Sequence, residues 1–190
     1  MRARLVTMGW LAVLVVGAMG PTAATAGHHA RGDLCTISGT SGDDHLVGTP
    51  GPDQICAGAG DDTIDGRGGA DFIFAGPGAD NANGGRGNDG VVGGPGPGLV
   101  FGGRGNDGIV DGGRGNDSAN GGPGRDVVAG REGHDIINGG AGDDRCVDGV
   151  DGTESNDSVN GGPGNDTGAA DDGDEVISLE HQLSGSCSAG

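Results

Sequence analysis

The chain contains no tyrosine, one tryptophan, three phenylalanines and, across all 190 residues, no lysine. So few aromatic rings exclude an ordinary ring-filled core, and apolar residues of every kind make up only 32% of the chain. Ten basic residues, all arginine, face 28 acidic ones, for a formal charge of −18. That balance repels nucleic-acid backbones and anionic lipid and gathers cations. Catalytic signatures are missing as well: the five histidines form no H-E-x-x-H pattern and there is no G-x-S-x-G elbow, so no catalytic residue is assigned and no enzyme is expected. What abounds is glycine, at 48 residues, the residue that loses most backbone entropy on folding. Alone, this composition describes a disordered acidic chain, and any fold must find its stability elsewhere.

Residues 1–26 are of another kind. Arg2 and Arg4 precede an apolar run from Leu5 to Met19, and Ala24-Thr25-Ala26 follows as a small-residue cleavage site. This pattern reads as a secretory signal peptide, which implies an extracellular protein with no transmembrane segment in the mature chain. Its removal leaves eight arginines against 28 acids, and 8 − 28 gives −20. A mature start at Gly27-His28-His29 would set a histidine third from a free amine, an arrangement suited to copper(II) or nickel(II). Cys35, Cys56, Cys146 and Cys187 all lie beyond the leader, where an oxidising compartment favours disulfides. Three pairings are open; the local one, Cys35 with Cys56 and Cys146 with Cys187, is the simplest, and neither pair has the C-x-x-C spacing of a zinc site.

Past the leader the sequence keeps a period of nine. Aspartates recur at Asp44, Asp53, Asp62, Asp71, Asp80 and Asp89, skip Gly98, and return at Asp107. An insertion of one residue, expected near Asp111, shifts the phase to Asp117, Asp126, Asp135 and Asp144. A longer one at 148–156 precedes Asp157 and Asp166, which leaves those two the least secure members of the series. Two residues after each aspartate stands an apolar or small residue: Leu46, Ile55, Ile64, Ile73, Ala82, Val91, Val100, Ile109, Ala119, Val128, Ile137, Cys146 and Val159. Side chains alternate across a strand, so each x-U-x triplet reads as a short strand with its middle residue turned to a shared interior. The other six residues follow G-G-x-G-x-D, as in Gly84-Gly85-Arg86-Gly87-Asn88-Asp89. Glycines at these places permit a tight turn, and beside a carboxylate such a turn aims carbonyl oxygens inward, the hard-oxygen environment that calcium prefers.

The full pattern, G-G-x-G-x-D-x-U-x, resembles the calcium-binding nonapeptide of the RTX, or haemolysin-type, repeat proteins, which is the standing example of that motif. The resemblance spans about residues 39–169. It implies an all-β fold, a parallel β-roll akin to a right-handed β-helix, in which two nonapeptides make one turn and loops two repeats apart hold a calcium ion. Carried onto this chain, it pairs Asp44 with Asp62, Asp62 with Asp80, Asp53 with Asp71, Asp71 with Asp89, Asp89 with Asp107, Asp107 with Asp126, Asp117 with Asp135, and Asp126 with Asp144. On the order of eight calcium sites follow, and the sites that would have used Gly98, against Asp80 and Asp117, should be weak or missing.

Solenoid ends need covers. Residues 27–38 are expected to cap one end and 170–190 the other, with Val176, Ile177 and Leu179 over the last turn. The function that results is calcium binding in a secreted module that folds on its metal and performs no catalysis. The alternative is an adhesin or matrix component that meets an extracellular partner through outward residues such as Phe74 and Phe101.

Overall fold

The computed structural model describes residues 34–148, 156–170 and 174–183. The leader, the Gly27-His28-His29 start and Cys187 lie outside the described residues. Among those described there is no helix, and all strands pair in parallel in two sheets. One sheet has nine strands, beginning with Ile37–Ser38 and ending with His181–Leu183; the other has eight, from His45–Val47 to Glu175–Ile177. Successive strands alternate between the sheets, so each strand bonds to the one two places on. Gln54–Cys56 lies against Phe72–Phe74, for instance, with Ile55 opposite Ile73. The chain is therefore the expected parallel β-roll, with 18 residues separating these partners.

The strands form because the middle residue of each triplet has one place to go. Leu46, Ile55, Ile64, Ile73, Ala82, Val91, Val100, Ala119, Val128, Ile137 and Val159 are all buried between the sheets. This core is one side chain deep per repeat, joined by little more than Ala57 and Ala75. Each turn then closes through glycine: Gly85 and Gly87 have φ of 104° and 140°, values that a side chain resists.

The first insertion lies elsewhere than the sequence suggested. Gly90 pairs with Ile109 and Val91 with Val110, so the extra residue enters at Gly108–Ile109, and Val110 takes the core position that counting assigns to Ile109. Ile109 is 43% exposed. A bulge at Asp111 would have interrupted the ladder inside the strand Ile109–Arg114, whereas one at the strand's start leaves Gly112 and Gly113 in register with Gly93 and Gly94. Asp111, itself buried, meets the Arg131 guanidinium at 2.6 Å.

After the second insertion the phase returns: Ile136 pairs with Ser158 at a separation of 22 residues, four more than the usual 18. The C-terminal segment continues the roll rather than folding across it. Glu175–Ile177 pairs with Ser158–Asn160, and His181–Leu183 with Thr167–Ala169. Leu179 packs on the core, while Ile177 is exposed. At the other end a disulfide joins Cys35 to Cys56, tying the first strand to its neighbour. The side chain of Cys146, like Cys187, lies outside the described residues.

Candidate metal centre

Each loop ends in its aspartate, and the roll brings these carboxylates into two columns. Asp62, Asp71, Asp80, Asp89, Asp107, Asp117, Asp126, Asp135, Asp144, Asp157 and Asp166 are all buried. One oxygen of each accepts a hydrogen bond from a backbone N–H one turn earlier: Asp44 N to Asp62 Oδ1 at 2.8 Å, Asp71 N to Asp89 Oδ1 at 2.8 Å, Asp126 N to Asp144 Oδ1 at 2.9 Å. Every pair named from the sequence is joined in this way, including Asp107 with Asp126 across the insertion. Asp157 and Asp166 belong fully, accepting from Asp135 and Asp144.

The second oxygen decides what the column can do. Oδ2 of Asp62, Asp71, Asp89, Asp107, Asp117, Asp126, Asp144 and Asp166 is buried and accepts no hydrogen bond. An unmet buried carboxylate oxygen is costly unless a cation or proton answers it. The surroundings are those of a cation site. A Cβ placed on Gly84 would lie 2.5 Å from the Gly102 carbonyl oxygen and 2.7 Å from Asp89 Oδ2; on Gly121 it would lie 2.5 Å from Gly139 O and 2.7 Å from Asp126 Oδ2. The bare glycine thus leaves a cradle in which a carboxylate and the carbonyl of the next turn face a common space. Among the described residues no three His, Cys, Asp or Glu side chains converge, as expected where backbone carbonyls supply much of the ligand set.

The columns are closed differently at their ends. Asp44 and Asp53 have Oδ2 engaged: it accepts from the backbone N–H and hydroxyl of Thr40 and Thr49 respectively, at 2.6 and 2.9 Å. Those loops carry threonine where later ones carry the second glycine, and a threonine O–H stands where the others leave an oxygen open. At the far end Asp174 Oδ1 accepts from Asp157 N, and Glu180 Oε2 from Asp166 N. The nine-residue count missed both, because they lie 17 and 14 residues from their partners. At the skipped position Gly98 N still donates to Asp117 Oδ1 at 2.7 Å, but no carboxylate answers from Gly98 toward Asp80.

A second ladder, unread in the sequence, runs along the outside. Asn106 N donates to Asn88 Oδ1, Arg125 N to Asn106 Oδ1 and Asn165 N to Asp143 Oδ1. In the inner column the N–H comes from the earlier turn; here it comes from the later one. Each loop is therefore held to both neighbours. The signal was the recurring Asn before the phased Asp.

Without a cation, desolvation is the largest influence on these carboxyls, outweighing the backbone hydrogen bonds that favour the charged form. Asp117 and Asp144 are raised to about 6 and Asp126 to about 7, from an ordinary 3.8. A folded value above the unfolded one means that protonation favours the fold: the contribution is complete below about pH 4 and is lost as pH rises through about 6 to 7. Metal-free chain held in chelator is expected to gain β signal in far-UV circular dichroism as pH falls from about 8 to about 4. A β signal that stays level or falls would show that buried charge does not oppose folding.

A family model described as the RTX calcium-binding nonapeptide repeat (4 copies) matches residues 38–73, 65–100, 111–146 and 148–177. No curated protein matches the chain.

Proposed function

The chain belongs to the RTX calcium-binding nonapeptide-repeat family, and from that premise we propose that it is a secreted, non-catalytic module whose two aspartate columns hold calcium and whose fold depends on it. One observation carries this reading: the row of buried Oδ2 atoms that no hydrogen bond reaches, each but that of Asp62, where Ala57 stands instead, beside a bare glycine and, as at Gly84 and Gly121, a carbonyl oxygen. Asp62, Asp71, Asp89, Asp107, Asp117, Asp126, Asp144 and Asp166 are the carboxylates best placed to serve, with Asp135 and Asp157 in the same columns. Asp80, opposite Gly98, is less well placed, and Asp44 and Asp53 close the N-terminal ends. Bound calcium supplies positive charge and oxygen coordination where the protein provides only acceptors. About eight ions would add about +16 to a mature chain of −20, a near neutralisation. The leader read at residues 1–26 supports export, where calcium is abundant.

Calorimetric titration tests this, with magnesium as the control. The chain should take up several calcium ions and far fewer magnesium ions, which demand smaller, more regular cages. Gly98→Asp should raise the count: a Cβ there would sit at ordinary contact distances, 3.4 Å from Asp80 O and 3.5 Å from Asp117 Oδ1, and would restore the missing carboxylate. Equal uptake of the two metals, with no gain from Gly98→Asp, would count against the columns as the calcium site.

A further inference from the structure

On the outer face of the eight-stranded sheet lies an open groove of about 840 Å³, crossing four neighbouring strands from Thr63–Asp65 to Ser118–Pro123. Its shape comes from three parallel rows that run along the roll. Asp65, Asn83, Phe101 and Asn120 are register partners and form one row. Arg86 and Arg104 are register partners and form another, while Arg67, on the turn after Asp65, stands level with Gly85 and Gly103, one residue short of that row. Between the two, Gly85 and Gly103 are partners, and their missing side chains make the trough.

The arginine row is what needs explaining. The chain has ten basic residues in all, and these three are stacked on successive turns, where their like charges repel. Among the described residues, the arginine ion pairs Arg114 with Glu132 and Arg131 with Asp111 lie on the other sheet, and no carboxylate forms an ion pair with Arg67, Arg86 or Arg104. Arg67 also holds φ of 70°, at a place where most repeats have glycine, so its side chain is presented from an unfavourable backbone. An acidic chain that spends arginines in this way is arranged to meet negative charge.

We propose that this groove binds a linear acidic polysaccharide, with uronate carboxylates on Arg67, Arg86 and Arg104 and sugar faces and hydroxyls on Phe101, Asn83 and Asn120. Neighbouring strands are about 4.8 Å apart, so Arg86 and Arg104 lie about one such step apart along the groove, with Arg67 one residue off their line on the next turn. A pyranose chain advances by about one ring per such step, whereas an extended peptide returns to the same side only every ~6.6 Å. Guanidinium groups take carboxylates through paired N–H bonds, amides suit hydroxyls, and an aromatic ring suits the apolar face of a sugar. Asp65, at one end of the row, accepts from Arg67 N at 3.0 Å and marks where an anionic chain would stop. The proposal rests on the calcium reading, because only a loaded roll has shed enough negative charge to admit an anion.

The test is calorimetry on the full chain in saturating calcium and low salt, with a galacturonate hexamer as ligand and a neutral galactose hexamer and hexaglutamate as controls. The galacturonate hexamer should bind, more weakly as salt rises, and the double variant Arg86→Gln/Arg104→Gln should lose about tenfold or more in affinity. Calcium uptake and the far-UV spectrum of the variant should be unchanged, since both side chains are exposed. Equal binding by the variant, or equal binding of either control, overturns the proposal. A folded, calcium-loaded chain that ignores the galacturonate hexamer overturns it while leaving the calcium reading intact; a chain that neither binds calcium nor folds with it removes both.

Discussion

Stripping calcium from the chain at neutral pH is expected to abolish most of its β signal, and returning calcium, but not magnesium, to restore it in one steep transition. The physical case begins with how little else holds the roll together. Its core is a single file of aliphatic side chains, and about 32% apolar content cannot offset the ordering of a glycine-rich backbone. Against this stand the buried carboxylates, each of which opposes folding while it stays charged and unmet. Calcium reverses the sign of that contribution. With a dissociation constant of ~0.1 mM, typical of weak extracellular sites, calcium near ~1 mM contributes about 1.4 kcal/mol per site. About eight sites then give roughly 11 kcal/mol, comparable to the stability of a whole domain. The transition should be steep because each carboxylate is bonded to the turn before it, so ordering one loop prepares the next. Far-UV circular dichroism of the full chain, titrated from a chelated start, is the measurement. A spectrum indifferent to calcium would mean that the fold rests on something other than its metal.

Alanine at the turn glycines is expected to be nearly as damaging, and selectively so. Gly105 has φ of 145°, and a Cβ there would overlap the carbonyl oxygen of Gly87 in the turn below; Gly87 has φ of 140° and stands in the same relation to Gly69. Neither can yield, because the obstacle is backbone that is itself held in the stack. Gly105→Ala should cost about 3 kcal/mol or more through the left-handed conformation and the overlap together. Gly108→Ala is the matched control: nothing lies within 4 Å of its added Cβ. That substitution should be neutral or stabilising by up to about 1 kcal/mol through the unfolded chain. Thermal melting of the calcium-loaded variants separates the two cases. A small effect at Gly105, equal to that at Gly108, would mean that the turns are far looser than the close stacking of backbones indicates.

Much of this architecture was open to reading because the repeats are quasi-identical. Within each uninterrupted run a nonapeptide meets its copy 18 residues away in the same surroundings, so the column that begins Leu46, Ile55, Ile64 and the one that begins Asp62, Asp71, Asp80 could be read off by counting. Counting fails where the period is broken. Between Asp107 and Asp117 the extra residue has several places to go, and ladder continuity, visible only in three dimensions, chose Gly108–Ile109 and buried Val110. Asp174 and Glu180 escaped for the same reason, since they end the columns from segments that no longer keep step.

The period, the inward aliphatic column, the aspartate columns and the hard-oxygen chemistry follow from residue type and spacing alone. Tertiary structure decided which oxygen of each aspartate is engaged and which is left open, that Thr40 and Thr49 satisfy the first carboxylates, and that an outer ladder runs opposite in sense to the inner one. It also placed Arg67, Arg86 and Arg104 along one groove, although 19 and 18 residues separate them in the chain. These features are contacts between turns, and a contact between turns is fixed by register and side-chain rotation, neither of which a single repeat contains.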